Sequence, residues 1–396
     1  IVLFSTIIRL FTLWFNAFLT ARIGNDISTD SYRKILYQSY FYHIDNNTSN
    51  IISTITTQID HTVASVGLAL KFLTNSIIVF CIAIGLIIID WQLAIVSGSL
   101  VLLPYILIGW ITKKIILKNS SFINKALKKQ MRSIQESLGL IKEVLIDNNQ
   151  KHYTENYLSN DKKMRIKQSE NLFLSNFPRF AMEGFGIIGL ALVASIVSLT
   201  RNNTTNLIPY LGTLTIGAQR IVPILQQIYS GLARFRGYSA SIYSVINILN
   251  LPIDKVLIQE KKRPLPFKKS FTLENIYFYF SKEKSILKDI NLRVNKGEKI
   301  GIIGTTGSGK STLLNIILGL LNPNKGKLKI DELDIFEKRN KYFINSWRQK
   351  ISHVPQKIYL TDGTIAENIA LGQKKEDIDL EKVKKVAKIA QAMEFI

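Results

Sequence analysis

From Phe72 to Thr112 the chain runs through 41 residues in which Asp90 is the only charged side chain. About 20 apolar residues cross the hydrocarbon core of a bilayer once, so this stretch is long enough for two spans joined at Asp90-Trp91-Gln92. A soluble core helix rarely stays uncharged for so long. A chain committed to lipid must satisfy its backbone N–H and C=O groups internally, which makes each span a helix. A second apolar region runs from Phe180 to about Leu232, with a polar turn at Arg201-Asn-Asn-Thr-Thr-Asn206, and residues 1–22 supply a partial span. The expectation is five spans, at about 1–22, 68–89, 92–112, 180–200 and 207–232.

Charge gives these spans a direction. Across all 396 residues 51 Lys and Arg face 29 Asp and Glu, a formal charge of +22, which admits either nucleic acid or anionic lipid as a partner. Location favours lipid. Residues 113–170 hold 13 Lys or Arg against six Asp or Glu, whereas the turn at Asp90 has no basic residue and the turn near 201 has one. The positive-inside rule puts 113–170 in the cytoplasm and both turns outside, in a multi-pass protein of the plasma (inner) membrane. No nucleic-acid partner is needed to explain the basic excess.

The basic segment is helical in pattern. Ile123, Leu127, Met131, Ile134, Leu138, Ile141 and Leu145 step by four or three residues, and between Trp110 and Phe177 there is no proline and one glycine, Gly139. The spacing predicts a helix that continues from its span far into the cytoplasm, on the order of 80 Å from 93 to 146 at about 1.5 Å per residue. Residues 24–67 form a matching excursion. Polar turning points stand at Tyr42-His-Ile-Asp-Asn-Asn47 and Asn148-Asn-Gln150. One cysteine, Cys81, and four scattered histidines exclude a disulfide framework and a thiolate metal site within the chain. Arg9, Glu183 and Arg220 fall where spans are expected. Ionisable groups there face a partner or a cavity, so the three read either as a Glu183–Arg220 pair or as part of an anion-binding substrate path.

Near Asn250 the character changes. Lys261-Lys-Arg-Pro-Leu-Pro266 is a basic, proline-bearing linker. Strands are predicted at Phe271–Phe280, Ile286–Val294, Lys299–Ile303 and Lys327–Ile330. The third leads into Gly304-Thr-Thr-Gly-Ser-Gly-Lys-Ser311, and a helical run, Ser311 to Leu321, follows. Gly304, Gly307 and Gly309 let the backbone curl so that N–H groups of Thr305, Thr306, Ser308 and Thr312 line a cradle at a helix N-terminus. Lys310 reaches the β- and γ-phosphates and the Ser311 hydroxyl ligates Mg²⁺ in this pattern. Strand, glycine loop and helix in that order give an α/β P-loop fold that binds a nucleotide with Mg²⁺.

The order of spans, long cytoplasmic helices, linker, glycine loop and Ile351-Ser-His-Val-Pro-Gln356 resembles an ATP-binding cassette (ABC) exporter half-transporter. The resemblance implies a multi-domain membrane protein: an all-α transmembrane domain at 1–248, a linker at 249–268 and a partial α/β nucleotide-binding domain at 269–396 that is cytoplasmic. It also implies site roles. Leu273-Glu-Asn-Ile-Tyr-Phe-Tyr-Phe280 looks like the adenine-stacking strand, with Phe280 or Tyr279 as the ring. Gly304–Thr312 matches the Walker A loop. Gln356 matches the Q-loop glutamine that touches Mg²⁺, and the turns near 42–47 and 139–150 match coupling helices. By the same comparison the first span, the signature, Walker B and the switch histidine stand outside this chain, so it reads as a fragment that does not hydrolyse ATP alone. Asn176-Phe-Pro-Arg-Phe-Ala-Met-Glu183 and Gly217-Ala-Gln-Arg-Ile-Val-Pro223 are similar to flippases for lipid-linked oligosaccharides. The implied partners are a second half-transporter, the lipid bilayer and a translocated substrate such as a glycolipid, a peptide, a lipid or a drug. A soluble cassette acting on nucleic acid would partition into buffer rather than detergent, and an ATP-regulated receptor or channel would accumulate no substrate.

Overall fold

A computed structural model describes residues 2–89, 91–200, 207–253, 267–281, 284–337, 342–356 and 358–394; the side chains of 185–220, Ile188 and Ser195 excepted, and of several positions between 89 and 101 lie outside that description. The chain divides into two compact units, Ile1–Glu260 and Lys261–Ile396.

The first unit is helical throughout. Five long rods cover the expected spans: α1 (Val2–Leu36), α4 (Ile59–Ile89), α5 (Trp91–Gly139), α7 (Gln150–Thr200) and α8 (Leu207–Gly237). Between α1 and α4 lie two short helices, α2 (Tyr40–Asp45) and α3 (Thr48–Ser53), and a π-helical turn at Thr54–Gln58; α6 (Ile141–Ile146) separates α5 from α7, and α9 (Ser239–Leu249) closes the unit. Among the described residues two helical stretches, Val2–Leu36 and Thr48–Ile88, are long and apolar enough to cross a membrane. The expected turn at 201–206, and Asp90 itself, lie outside the described residues; Trp91 already belongs to α5.

Side chains set where the two short helices begin. Ser39 caps α2 by accepting from the Tyr42 N–H, and Asn47 caps α3 by accepting from the Ser49 N–H. Rod α5 stops earlier than its apolar stripe predicts. Ile123 is buried, but Leu138, Ile141 and Leu145 are exposed, and the helix breaks at Gly139–Leu140. Past Ile134 the stripe has lost the face it packs on, and a glycine costs a helix about 1 kcal/mol relative to alanine. The uninterrupted rod is therefore 49 residues, about 74 Å.

Rods α5 and α7 run antiparallel. Asn119 Nδ2 donates to Asn171 Oδ1 at 3.0 Å, and eleven residues on Gln130 Nε2 donates to Asp161 Oδ1 at 2.9 Å. A buried apolar core of Tyr105, Ile116, Met182, Leu225, Tyr229 and Ala233 joins them to α8. The end of α1 holds the end of α9: Lys34 Nζ donates to the carbonyls of Leu249 and Leu251, and Gln38 Nε2 donates to the Pro252 carbonyl at 3.0 Å.

The second unit is built on an antiparallel sheet of order β2-β1-β3-β4, with β1 at Ser270–Ser281, β2 at Lys284–Asn295, β3 at Lys325–Ile330 and β4 at Leu333–Asp334. Helices α10 (Lys310–Ile317), α11 (Tyr342–Arg348), α12 (Ile365–Ile369) and α13 (Leu380–Ile389) complete it. Three of the four predicted strands are present. Lys299–Ile303 is not a strand: no ladder partner lies beside it among the described residues, and Ile303 is 97% exposed. A β-branched run has the propensity for a strand, but only pairing makes one. The predicted helix to Leu321 also ends sooner, at Ile317, because Gly319 turns left-handed at φ 70°.

Strand β1 keeps two core side chains on one face by a bulge. Leu273 and Ile276 are both buried although three residues apart, and Asn275 between them takes φ 49°. The β3–β4 hairpin has two loop residues, Asp331 at φ 46° and Glu332 at φ 76°, in a turn that glycine usually occupies. Compensation comes from the Asp331 carboxylate, which accepts the backbone N–H groups of Lys268, Lys269 (2.7 Å) and Ser270 (2.9 Å). Desolvation pushes its pKa up, but those three donors prevail and hold it below the usual aspartate value. A carboxyl depressed in the folded state contributes stability above its unfolded pKa and loses it as pH falls through the folded value. Denaturation followed by Trp347 fluorescence, with the other tryptophans replaced by Phe, should show a midpoint that drops as pH falls below about 4. Asp331→Asn should lower the midpoint at neutral pH and flatten that acid limb.

Candidate functional site

The glycine loop sits on a wall made by β2. A Cβ at Gly309, where φ is 93°, would stand 2.8 Å from Leu287 Cδ2 and 3.3 Å from the Ile286 carbonyl oxygen. A side chain is thus excluded twice, by conformation and by space. A Cβ at Gly304 would meet Ser308 Oγ at 2.7 Å, and Gly307 takes φ 82°. Ser308 N–H donates to the Thr305 carbonyl at 3.2 Å, which closes the curl.

Helix α10 leaves the loop without a side-chain cap, and its first ladder bond runs from Leu313 N–H to the Gly309 carbonyl at 2.8 Å. The N–H groups of Lys310, Ser311 and Thr312 therefore have no partner within the helix and point out of its positive end. Lys310 folds back over the loop, its Nζ donating to the carbonyls of Gly304 at 2.7 Å and Thr305 at 2.8 Å. Residues 301–308 and Ser311 are exposed, so a ligand reaches the loop from solvent. Backbone donors, a helix N-terminus and an ammonium on one curl suit a polyanion.

The far end of α10 is held by residues that sequence reasoning missed. Trp347 Nε1 donates to the Ile317 carbonyl at 2.7 Å, and Arg348 Nη2 donates to the Gly319 carbonyl at 2.6 Å. A guanidinium at a helix C-terminus also opposes the negative end of the dipole. Ile286 and Leu287, the wall behind Gly309, were equally silent, because nothing in the spacing couples β2 to the loop.

The aromatic pair on β1 is split by the pleat. Phe280 is 42% exposed and meets Phe278 edge-on, with centroids 5.0 Å apart, while Tyr279 is half-buried and its N–H donates to Asn324 Oδ1 at 2.8 Å. Of the two, Phe280 is the more exposed ring. Gln356 is exposed on an irregular stretch, and among the described residues no hydrogen bond joins it to the glycine loop. In the helical unit Arg9 is exposed on α1. Glu183 is exposed and pairs with Arg179 on its own helix at 3.0 Å. The side chain of Arg220 lies outside the described residues.

With this geometry in hand the relatives are informative. A family model described as "ABC transporter transmembrane region" matches residues 1–210, and one described as "ABC transporter" matches 287–395. The "Multidrug resistance-like ATP-binding protein MdlA" of Buchnera aphidicola is 27% identical over 382 residues, 93% of this chain and 63% of that protein. The "ATP-dependent lipid A-core flippase" of Wigglesworthia glossinidia brevipalpis is 28% identical over 292 residues, 69% of this chain and 48% of the other. A bacterial Atm1-family ABC exporter solved with ATP bound superposes over 100% of this chain and 68% of its own, with a TM-score of 0.80 at 17% identity, a likeness of fold. The chain spans about half the length of the curated relatives it matches.

The double exclusion at Gly309 gives a direct test. Gly309→Ala should lower the thermal midpoint of the sheet unit, since the left-handed conformation alone costs an alanine about 1–2 kcal/mol. Gly297→Ala, also at positive φ but with open space around its Cβ, should cost only the conformational part. Equal shifts for the two would show that β2 does not wall the loop.

Proposed function

The chain belongs to the ABC transporter family, and from that membership we propose that it works as part of an ATP-driven exporter or flippase. The observation that carries this reading is the glycine loop whose Gly309 tolerates no side chain, set in a chain that also holds membrane-length apolar helices. The loop N–H groups and Lys310 take the triphosphate. Lys310 now bonds two neutral carbonyls, and a phosphate oxyanion offers its ammonium a stronger, charge-assisted bond. Phe280 lies against the base, with Tyr279 as the alternative ring. Ser311 and Gln356 supply the oxygen ligands for Mg²⁺, which when bound neutralises part of the triphosphate charge.

The chain pairs with a second half-transporter in the plasma membrane, with its nucleotide-binding unit in the cytoplasm. Closure of two cassettes around ATP then drives the spans from inward- to outward-facing. For cargo, an amphiphile with an anionic headgroup fits best, a lipid-linked oligosaccharide among them. Arg9 lies on an apolar rod, and Arg220 stands in the apolar Gly217–Pro223 sequence, where a phosphate or pyrophosphate would meet a cation. Several relatives bear the name lipid A-core flippase.

Proteoliposomes carrying the protein with its partner subunit test this. Lys310→Ala should abolish ATP-dependent movement of a fluorescent lipid-linked glycan, and Arg220→Ala should reduce it while leaving nucleotide binding intact. Undiminished movement by the Lys310 variant would overturn the mechanism. Movement of peptide or drug but not glycolipid would reassign the cargo.

A further inference from the structure

Helix α7 contains Pro178, which is buried. A proline has no N–H to give, so the carbonyl of residue 174, four positions back, loses its ladder donor, and the ring crowds that same carbonyl. In an apolar surrounding an unpaired carbonyl is costly and must find another donor. It has one. Tyr229 of α8 donates its hydroxyl to the Leu174 carbonyl at 2.9 Å. One residue on, Gln226 Nε2 donates to the Ser175 carbonyl, more weakly at 3.4 Å.

Both donors are themselves held from α5. Thr112 Oγ1 stands 3.1 Å from the Tyr229 hydroxyl, and the Tyr105 hydroxyl donates to Gln226 Oε1 at 3.2 Å. Each hydroxyl has one proton. Thr112 gives its own to the Ile108 carbonyl at 2.8 Å, one turn back on α5, and the Tyr229 proton goes to Leu174, the shorter of its two contacts. Polar contacts thus run from α5 through α8 to α7 within the apolar cluster that includes Ile108, Met182, Leu225 and Ile228.

We propose that Tyr229, seconded by Gln226, is a positioning residue that replaces the hydrogen bond Pro178 removes from α7, so that three spans are clasped at one proline joint and move as a single body. The proposal builds on the transporter reading only for what that body does; the clasp itself stands on the bonds. A ladder bond is released only by opening a helical turn, whereas the Tyr229 hydroxyl needs only to turn away. The joint is therefore the place where α7 can change direction without unwinding.

The test is a double-mutant cycle on the full chain in detergent or nanodiscs. Tyr229→Phe keeps the ring and its packing on Tyr105 and removes only the donor. In the Pro178 background it should lower Tm by about 3–6 °C, as expected for a buried carbonyl left unpaired. Pro178→Ala returns an N–H to Leu174, so in that background the same Tyr229→Phe should shift Tm by less than about a third as much. Equal shifts in both backgrounds would overturn the proposal.

A second readout does not depend on stability. Spin labels at the exposed positions Leu158 and Ile188, in a Cys81→Ser chain, report on either side of the joint. Tyr229→Phe should broaden the label distance distribution with Pro178 present and leave it unchanged in the Pro178→Ala background; broadening in both, or neither, would overturn the clasp. If the cycle succeeds but Tyr229→Phe leaves export untouched, the clasp stands and only its part in transport fails; if the parent chain with its partner moves no substrate, the transport reading fails and the clasp still stands.

Discussion

The hydrogen-bonding demand of the backbone in an apolar medium governs the helical unit. With no water to bond, each N–H and C=O in a span must find its partner within the chain, and the helical ladder supplies nearly all of them. The five long rods, and the restriction of irregular backbone to their ends, follow from that one requirement. The exceptions are informative for the same reason. Prolines at 104, 178 and 223 each delete a ladder donor. At Pro178 the deletion is met by Tyr229, with Gln226 on the next carbonyl, and buried polar side chains that would otherwise be a liability become part of the packing.

In the sheet unit the governing constraint is space. The loop can curl only where glycine stands, and β2 fills the volume a side chain at Gly309 would occupy. The sheet is placed by a bulge at Asn275 and by a hairpin whose strained Asp331 is held by three backbone donors. The loop thus inherits its shape from strands that are distant in sequence but adjacent in space.

Much of this was legible in the residues. The uncharged run from Phe72 to Thr112 announces spans whatever they pack on, because length and hydropathy are local properties. Gly304–Ser311 announces a tight turn ahead of a helix because the turn itself demands glycine. Properties that depend on a neighbour were not legible. The stripe through Ile123 continues to Leu145 in sequence, yet the helix stops at Gly139, where packing gives out. Lys299–Ile303 has every mark of a strand except a partner. Glu183 pairs within its own helix, with Arg179. Tyr229 looks like any amphipathic aromatic in a span, since the group it serves is a backbone carbonyl on another helix.

Lys310 and Tyr229 share a physical logic. Each is a side-chain donor bonded to carbonyls that the regular backbone has left over, one in a curled loop and one beside a proline. Bonds of this kind are worth only about 1 kcal/mol net, because a competing acceptor or a relaxed backbone recovers most of what is lost. They can be exchanged by rotating one side chain, whereas a ladder bond is exchanged only by fixing or freeing several dihedrals together. On the proposed function, gripping and releasing a nucleotide and bending a rod without melting it would both use such soft points. In this chain both are built by taking a carbonyl out of the ladder and giving it a movable donor.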